Sequence, residues 1–600
     1  MLLYAWFEQI NQMPFNNGIN FIGKFDFDYH PTEKKLILTE NDKFIPDFYG
    51  KNINDIRVLV GENGVGKTQF CKHLFRALSN PTNLKDGILI YMSKNNIYIQ
   101  NGEKAIHTII FEQSPYELKN GNKEIVINQY TLYINQIADC KRITPFFVTN
   151  AFAPIELGHS IQFESENYRS PAYCMQKAIQ WEQERYGSQM GEYIHNNSSI
   201  FANAKTNSVL TEYQIYQNRL FIANYLTADN IPIFKKIKIY NEFTMGIRPF
   251  EGEIPFAQVD KNLKEKCINI ADKFRSLKEK RTGILENAYI LLLEETCLYF
   301  PEIGKLIEIQ LSKWKPTDTC IIEPKFNKEL LNLMQENISK NKQTNPVAGK
   351  WKWLKQIEGA FKQLEKWQNT PKKKDLFQYK MDTYKFEDEN GRKLLEFYYK
   401  LLKKNDDFWK RTIGFNLNSA SSGEIAAINL FSYITDIFLS LNQIQEESTF
   451  FIIIDEIDIG LHPKWQQQIL QYLVEFLEQK FTKYNFQILI TSHSPIFLSD
   501  IPNDKVYQIK MQNNIMQMDI CKNTTFGANI YNLFYDGFFM DEGTIGTFSQ
   551  KKINNVISWL SENNKNKISQ DEVEYIINSI GEPVVKENLR YMFKQHMSDL

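Results

Sequence analysis

Residues Ile56–Thr68 read IRVLVGENGVGKT, an apolar run that leads into a glycine-rich loop ending in Lys-Thr. The apolar part predicts a buried strand, and residues 69–78 (QFCKHLFRAL) predict a helix directly after the loop. The loop matches G-x-x-x-x-G-K-[ST], and a strand and a helix on its two sides are the context in which this pattern cradles phosphate. Backbone N–H groups converge on phosphate oxygens there, and the helix N-terminus adds a positive dipole.

The side chains of this loop have distinct predicted roles. Lys67 is expected to reach the β- and γ-phosphates, and the Thr68 hydroxyl is expected to bind Mg²⁺. The alternative is a glycine-rich turn with an accidental Lys-Thr, which three further motifs downstream make less attractive. The predicted nucleotide contacts in the loop are Glu62, Asn63, Gly64, Val65, Gly66, Lys67 and Thr68.

A second apolar strand, residues 449–456 (TFFIIIDE), ends in two acids. Paired carboxylates at a buried strand end are costly without a cation. Asp455 is therefore expected to hold Mg²⁺, and Glu456 to orient and deprotonate the water that attacks the γ-phosphate. A strand followed by an acidic turn is the competing interpretation.

Two further segments fit a γ-phosphate site. A Ser-Ser-Gly-Glu run opens an apolar helix whose free N–H groups could bind an anion, although a simple N-cap is the competing explanation. Residues 486–491 predict a strand that delivers His493, whose imidazole could sense a γ-phosphate, although a lone histidine is more often structural. The second set of predicted nucleotide contacts is Ser421, Ser422, Gly423 and Glu424.

Together, Gly61–Thr68, Ser421–Glu424, Asp455–Glu456 and His493 resemble the ABC/SMC-type heads of RecF-like and related AAA-type ATPases. The resemblance implies an α/β fold, with one ABC-type ATPase head assembled from N- and C-terminal lobes and a mostly helical insertion between them. It also implies ATP and Mg²⁺ as cofactors and Lys67, Glu456 and His493 as catalytic residues.

The same resemblance implies a homodimer, or a higher oligomer, with two ATP molecules held between the loop of one head and Ser421–Glu424 of the other. Residues 458–463 (DIGLHP) take the place of the dimer-contact D-loop. Two features depart from the pattern. Ala420 stands where many members carry Leu, and no glutamine is identified as the Q-loop residue.

Shorter segments give a narrower resemblance. They resemble bacterial anti-phage ATPases of the Septu type (PtuA) and their retron-associated relatives, which work with a separate HNH-type nuclease. The segments are residues 4–7 (YAWF), 16–18 (NNG), 25–27 (FDF), 525–530 (TFGANI) and 543–548 (GTIGTF).

No intrinsic nuclease is predicted. A Toprim domain needs an Asp-x-Asp pair, and none follows His493. His195-Asn196-Asn197 is similar to an HNH fragment only superficially, because metal-ligand neighbours are missing. The chain is therefore expected to hydrolyse ATP and leave cleavage to another protein.

Residues 340–374 hold ten lysines against two acids. They form either a solvated helix face or a contact for DNA or RNA phosphates, whose binding would weaken steeply with salt. Beneath them, apolar residues at helical spacing predict a buried stripe of Trp353, Ile357, Phe361, Leu364 and Trp367.

The composition is ordinary for a soluble globular protein. Net charge is -1, so nucleic acid or membrane attraction needs a local patch. Seven scattered cysteines without a C-x-x-C pair suit a reducing cytosol. No apolar run approaches the ~18 residues of a membrane helix, and no signal peptide is recognised, so a cytoplasmic protein without a membrane partner is expected.

The length predicts more than one lobe. The expected division is an N-terminal ATPase lobe over 1–160, a helical insertion over 161–410, a C-terminal ATPase lobe over 411–540 and a helical extension over 541–600. The clearest helical pattern lies at 262–299, and a single helix is expected over 464–480.

The leading functional hypothesis is an ATP-dependent sensor or regulator of an anti-phage defence system that controls a separate nuclease. A RecF-like DNA repair or recombination ATPase that binds or bridges DNA is the first alternative. A transporter subunit is disfavoured because ~350 residues, not ~100, separate the loop from Ser421. A scaffold without turnover is disfavoured by Glu456. The trigger, the partner and whether hydrolysis activates or restrains the effector stay open.

Overall fold

The computed structural model describes residues 1–151 and 167–177, both with short gaps, and further ranges toward the C-terminus. These are 242–247, 283–299, 306, 309, 324–342, 348–369, 383–402 without 387, 409, 413–417, 421–441, 449–534, 545–562 and 568–598.

The described strands, in chain order, are β1 Leu2–Phe7, β2 Gln9–Ile10, β3 Met13–Pro14, β4 Ile19–Asn20, β5 Phe25–His30, β6 Lys35–Glu40, β7 Ile53–Gly61, β8 Gly87–Ser93, β9 Asn96–Asn101, β10 Thr108–Phe111, β11 Ser114–Glu117, β12 Glu124–Ile127, β13 Tyr130–Ile134, β14 Thr144–Thr149, β15 Tyr168–Arg169, β16 Glu242–Ile247, β17 Thr383–Lys385, β18 Ile413–Leu417, β19 Thr449–Asp455, β20 Asn485–Thr491, β21 Val506–Gln512 and β22 Ile515–Ile520.

The described α-helices are α1 Lys67–Ser79, α2 Ile284–Tyr299, α3 Pro324–Lys342, α4 Ala348–Gln368, α5 Glu389–Leu402, α6 Ser422–Ser440, α7 Pro463–Gln466, α8 Ile469–Lys480, α9 Pro495–Leu498, α10 Ile530–Asn532, α11 Thr547–Glu562, α12 Gln570–Ser579 and α13 Pro583–Ser598.

A seven-stranded sheet in the order β15-β14-β19-β20-β7-β21-β22 carries the predicted motifs. Its strands pair in parallel except for the β21–β22 hairpin. The apolar runs of β7, β19 and β20 are buried, as expected for parallel strands covered on both faces. Helix α1 packs on β14 and β19, and α6 packs on β14. The predicted α/β fold, with a head built from both ends of the chain, is confirmed.

The register of this sheet brings four strand ends to one edge. Thr149 on β14 pairs with Asp455 on β19, and Thr491 on β20 pairs with Leu59 on β7. Because all four strands run in parallel, the loops after them meet at the same edge, where open α/β sheets bind ligands.

The first 150 residues add two further sheets, with strand orders β12-β13-β9-β8-β1-β4 and β11-β10-β6-β5. Alternate residues of these strands, including Trp6, Phe25 and Ile88, form a shared hydrophobic core. The side-chain amide of Gln487 on β20 donates to Leu2 O and accepts from Leu2 N–H, both at 2.7 Å. The first strand of the chain is therefore tied to the central sheet.

The described part of the insertion contains α2–α5 and a small sheet in the order β17-β16-β18, which the sequence analysis did not predict. Helix α2 lies within the predicted helical pattern, whereas residues 262–282 lie outside the described residues. In α4, Ile357, Phe361, Leu364 and Trp367 are buried, as predicted. The side chain of Trp353 lies outside the described part.

The chain divides into two compact units, residues 1–526 and residues 527–600. The second unit has its own core, which includes Val556, Trp559, Val573, Ile577 and Leu589 from α11–α13. The predicted four-part division of the chain stays a prediction. Among the described residues, no helix combines the length and apolar character needed to cross a bilayer.

Candidate functional site

The loop between β7 and α1 has the geometry of an anion cradle. Gly64 and Gly66 have φ values of 81° and 101°, which side chains disfavour. Gly66 is also the N-cap of α1, and it has no side chain with which to cap the helix. The N–H groups of the first helical turn are therefore left for a ligand.

Lys67 lies across this cradle. Its Nζ donates to Gly61 O and Glu62 O, both at 2.9 Å. Burial lowers the pKa of Lys67, and the nearby carboxylates of Glu456 and Asp455 oppose this shift. The ammonium group thus bonds to main-chain carbonyls of the loop and can exchange them for phosphate oxygens.

Asp455 ends β19 beside the loop, as the sequence predicted. The Thr68 hydroxyl donates to its Oδ2 at 2.9 Å, and the Thr491 hydroxyl donates to its Oδ1 at 2.8 Å. Burial raises the pKa of Asp455, although both hydroxyls favour the charged carboxylate. A buried carboxylate whose charged form is supported by hydrogen bonds is well suited to bind a cation.

Glu456 follows in a left-handed backbone conformation, with a φ of 54°. Its N–H donates to Thr491 Oγ1 at 2.7 Å. Burial raises the pKa of Glu456, and the negative charges of Asp455 and Asp458 raise it further. A carboxylate with a raised pKa is a better proton acceptor than a solvated one, which suits a general base.

His493 follows β20 at the same edge of the sheet. Its backbone N–H donates to Asp458 Oδ1 at 3.1 Å. Burial lowers the pKa of its imidazole, and the positive charge of Lys67 lowers it further. His493 is therefore neutral at neutral pH, with one ring nitrogen able to donate a hydrogen bond and the other able to accept one.

Ser421–Glu424 form a capping box at the start of α6. Ser421 Oγ accepts from Glu424 N–H at 3.3 Å, and Glu424 Oε2 accepts from Ser421 N–H at 2.7 Å and from Ser421 Oγ at 2.9 Å. The N-cap explanation therefore applies, and the anion role of this segment stays a prediction. Ser421 and Ser422 are exposed, so a ligand can reach their hydroxyls.

The segment Asp458–His462, called here the 458–462 loop, packs against this helix start. A Cβ added to Gly423 would lie 3.6 Å from both Gly460 O and His462 N. The predicted D-loop and the Ser421–Glu424 segment are thus neighbours within one head.

Sequence reasoning missed two residues of the site. Thr491 was assigned only to the end of a strand, yet it bonds both acids. Asn150 follows the β14 residue that pairs with Asp455, and its Nδ2 donates to Ala426 O at 3.1 Å. Its buried Oδ1 has no hydrogen-bond partner among the described residues. Asn150 thus lies at the same sheet edge as Asp455. Both residues lie at the ends of predicted strands, and this position is the feature by which they could have been found. Which residues lie beside them follows only from the order of strands in the sheet.

These residues fit Mg-ATP. The glycine loop offers N–H groups and Lys67 to phosphates, while Thr68 and Asp455 offer oxygens to a hard cation. Asn150 Oδ1 is a further unused acceptor near this edge. No group of three or more His, Cys, Asp or Glu side chains in the described part forms a self-sufficient metal site.

Comparison with known proteins gives matches to part of the chain. Residues 329–499 match the family described as "AAA domain, putative AbiEii toxin, Type IV TA system". This range contains Ser421–Glu424, Asp455, Glu456 and His493.

Two curated relatives are retron ATPases. The Retron Vc95 probable ATPase of Vibrio cholerae serotype O1 biovar El Tor is 38% identical over 104 residues, which are 17% of this chain and 18% of the relative. The Retron Ec83 probable ATPase of Escherichia coli is 31% identical over 104 residues, again 17% and 18%. The chain thus matches less than a fifth of the length of these relatives. Over that part it is similar to retron-associated, AAA-type ATPases. Neither comparison names a Septu ATPase, so the PtuA assignment stays a prediction.

Proposed function

We propose that this chain is a Mg²⁺-dependent ATPase that acts as the sensor or regulator of an anti-phage defence system. The observation that carries the proposal is the meeting of Lys67, Thr68, Asp455 and Glu456 at one sheet edge, where Thr68 and Thr491 bond Asp455 and Thr491 also bonds Glu456. These neighbouring residues supply a phosphate cradle, a cation site and a general base.

Each side chain has a separate task in hydrolysis. Lys67 leaves the loop carbonyls and binds phosphate oxygens, while Thr68 and Asp455 hold the cation. When bound, Mg²⁺ neutralises charge on the β- and γ-phosphate oxygens. Glu456 takes the proton of the attacking water. His493, kept neutral, hydrogen-bonds the γ-phosphate.

The test of this assignment is Lys67→Ala, with Lys510→Ala on the exposed part of β21 as the control. ATP affinity and phosphate release are measured for both variants. We expect Lys67→Ala to lose ATP binding or turnover, because the cradle loses the Lys67 ammonium, and Lys510→Ala to match the wild-type chain. Full turnover in Lys67→Ala would contradict the phosphate-loop assignment.

We further propose that two copies of the chain engage through ATP. Ile425, next to Glu424, is 42% exposed, and Ile459 in the 458–462 loop is 36% exposed. Exposed aliphatic side chains beside Ser421 and the 458–462 loop suit a surface that becomes buried against a second copy.

A separate nuclease, of the HNH type, is the proposed effector. The support is the similarity to relatives whose names place them with retrons. The test is recovery of the Glu456→Gln chain with Mg-ATP from its native host and mass spectrometry of what copurifies. A stoichiometric nuclease supports the defence role.

A RecF-like role in DNA repair is the second candidate. The observation that favours it is the row of exposed lysines on α4, Lys355, Lys362 and Lys366, which could contact DNA or RNA phosphates. Lys362 is paired with Glu358 at 2.6 Å, so a phosphate would have to displace this carboxylate. DNA-stimulated hydrolysis by the isolated chain would favour this role, whereas hydrolysis indifferent to DNA would favour defence.

A further inference from the structure

Gln466 lies between two loops of the candidate site. It ends α7, just before the break that separates α7 from α8. Its Nε2 donates to Leu461 O in the 458–462 loop at 2.9 Å, and its Oε1 accepts from Ser494 Oγ at 2.8 Å. Ser494 directly follows His493 and is buried. One amide side chain therefore ties the 458–462 loop to the loop that carries His493.

A second contact joins the same two loops, because Asp458 Oδ1 accepts from the N–H of His493. On its other side, the 458–462 loop contacts the start of α6. A Cβ added to Gly460 would lie 3.3 Å from Ala426 Cβ, and one added to Gly423 would lie 3.6 Å from Gly460 O. The start of α6, the 458–462 loop and His493 thus form one continuous series of contacts within a head.

We propose that Gln466 is a positioning residue that couples the anion site at the start of α6 to His493 of the same head. ATP bound at the start of α6 then fixes the position of the His493 imidazole. This imidazole acts on the ATP bound to the phosphate loop of the same head. The inference rests on the proposed function, in which the start of α6 receives the ATP of a second copy. Coupling of this kind needs contiguous contacts that respond together to both sites.

A glutamine is suited to this position by its chemistry. Its amide donates to a main-chain carbonyl and accepts from a hydroxyl through a single side chain. Because the Ser494 proton is directed to Gln466, a lone pair of Ser494 Oγ is left to accept from Phe497 N–H at 3.2 Å. Through this bond Ser494 caps α9. A methionine of similar length has neither the donor nor a comparable acceptor, so Gln466→Met removes both ties with little change in volume.

The experiment compares ATP hydrolysis by the full-length wild-type chain, Gln466→Met and Gln471→Met. Gln471 is the matched control, since it is exposed on α8 and bonds only Glu475 among the contacts described. For Gln466→Met we expect kcat to fall by about ten-fold or more, because a misplaced catalytic group is costly. ATP affinity should change by less than about two-fold, since the phosphate loop is intact. The Hill coefficient for ATP should fall toward one, and Gln471→Met should behave as wild type.

Three results would overturn the coupling. They are a wild-type kcat and Hill coefficient in Gln466→Met, an equal loss in Gln471→Met, and a loss of ATP affinity that accounts for the whole fall in turnover. If thermal unfolding shows that Gln466→Met does not fold, Ser494→Thr and Ser494→Ala replace it. If the coupling exists, Ser494→Thr keeps ATP turnover and Ser494→Ala loses it. Equal turnover rates in the two variants contradict the coupling. A wild-type chain without any ATP turnover contradicts the proposed function itself, and with it the coupling.

Discussion

Thr491 shows how one uncharged side chain bonds both acids of the candidate site. Its hydroxyl donates to Asp455 and accepts from the N–H of Glu456. Glu456 adopts a left-handed conformation that is costly for a residue with a side chain. The hydroxyl of Thr491 is one of the contacts that offset this cost, so the direction of the Glu456 carboxylate depends on a neighbouring strand.

Replacement of Thr491 by valine is expected to reduce turnover more than ATP binding. Valine keeps the shape of threonine but loses both hydrogen bonds, and loss of such a supporting contact commonly costs about 10–100-fold in activity. Thr491→Ser, which keeps the hydroxyl, is the control. Phosphate release and ATP affinity are measured for both, and a wild-type rate in Thr491→Val would contradict the positioning role.

At the residue scale, the sequence predicts those groups whose spacing is local. Lys67 and Thr68 follow from one loop, and Asp455 and Glu456 follow from the end of one apolar strand. Thr491, Asn150 and Gln466 could not be predicted in the same way. Their roles depend on which strand or loop lies beside them, and that neighbour is set by the order of strands in the sheet.

Helices α7 and α8 illustrate the same limit at the scale of elements. The apolar spacing over 464–480 predicts one helix, but the structure has two, which meet at Gln467–Gln468. The first begins at the His462 N-cap with Pro463 in its first turn. Its end coincides with Gln466, which is held on both sides by Leu461 and Ser494. Tertiary contacts here override a local helical pattern.

The proposed role of the start of α6 in dimerisation can be tested by substitution of Ser421. Ser421→Arg places a long cation where the second copy's γ-phosphate is proposed to bind, and it also removes the N-cap. We expect ATP still to bind the phosphate loop, while ATP-dependent dimerisation and turnover are lost. Light scattering and phosphate release measure the two effects.

Ser569→Arg is the control for the lost cap. Ser569 caps α12 through the same contact, accepting from Glu572 N–H at 3.2 Å, but it lies in the second unit. An N-cap loss costs about 1 kcal/mol in either helix. Equal loss of turnover in both variants, or an unaffected rate in Ser421→Arg, would therefore remove the role assigned to this helix start in dimerisation.

At the scale of the whole molecule, a buried ion cluster joins the beginning and end of the first unit. Asp55 on β7 accepts from Arg57 Nε at 2.6 Å and from Lys505 Nζ at 2.8 Å. It also accepts from Ile22 N–H at 2.9 Å. Burial alone would raise the pKa of Asp55, but Arg57 and Lys505 outweigh it and the pKa is lowered.

Asp55→Asn is expected to destabilise the chain, because it leaves two buried cations without their shared carboxylate. Breaking such a pair costs about 3–5 kcal/mol, which in a unit that spans residues 1–526 corresponds to a thermal midpoint lower by about 3–5 °C. Because the folded pKa is lowered, the stabilisation is present above about pH 4 and is lost as pH falls through the lowered pKa. Asp28→Asn, on the surface, is the control. An unchanged midpoint in Asp55→Asn would contradict this role.

The sequence predicts the α/β class and a head that joins both ends of the chain. The reason is that β7 and β19 carry motifs that can form one site only if the two strands lie close together. The small β17-β16-β18 sheet could not be predicted, since its strands are separated by long stretches of sequence and carry no strong alternation. Long-range pairing of short strands leaves little trace in a local pattern.

The most direct test of an ATPase centred on Glu456 is the rate of phosphate release by Glu456→Gln in Mg-ATP, measured beside wild type and an exposed control, Glu33→Gln. Glutamine keeps the shape of glutamate but cannot take a proton from water. We expect ATP to bind as in wild type and turnover to fall by at least about 100-fold, with Glu33→Gln unchanged. Wild-type turnover in Glu456→Gln would show that another group is the base and would contradict the proposed mechanism.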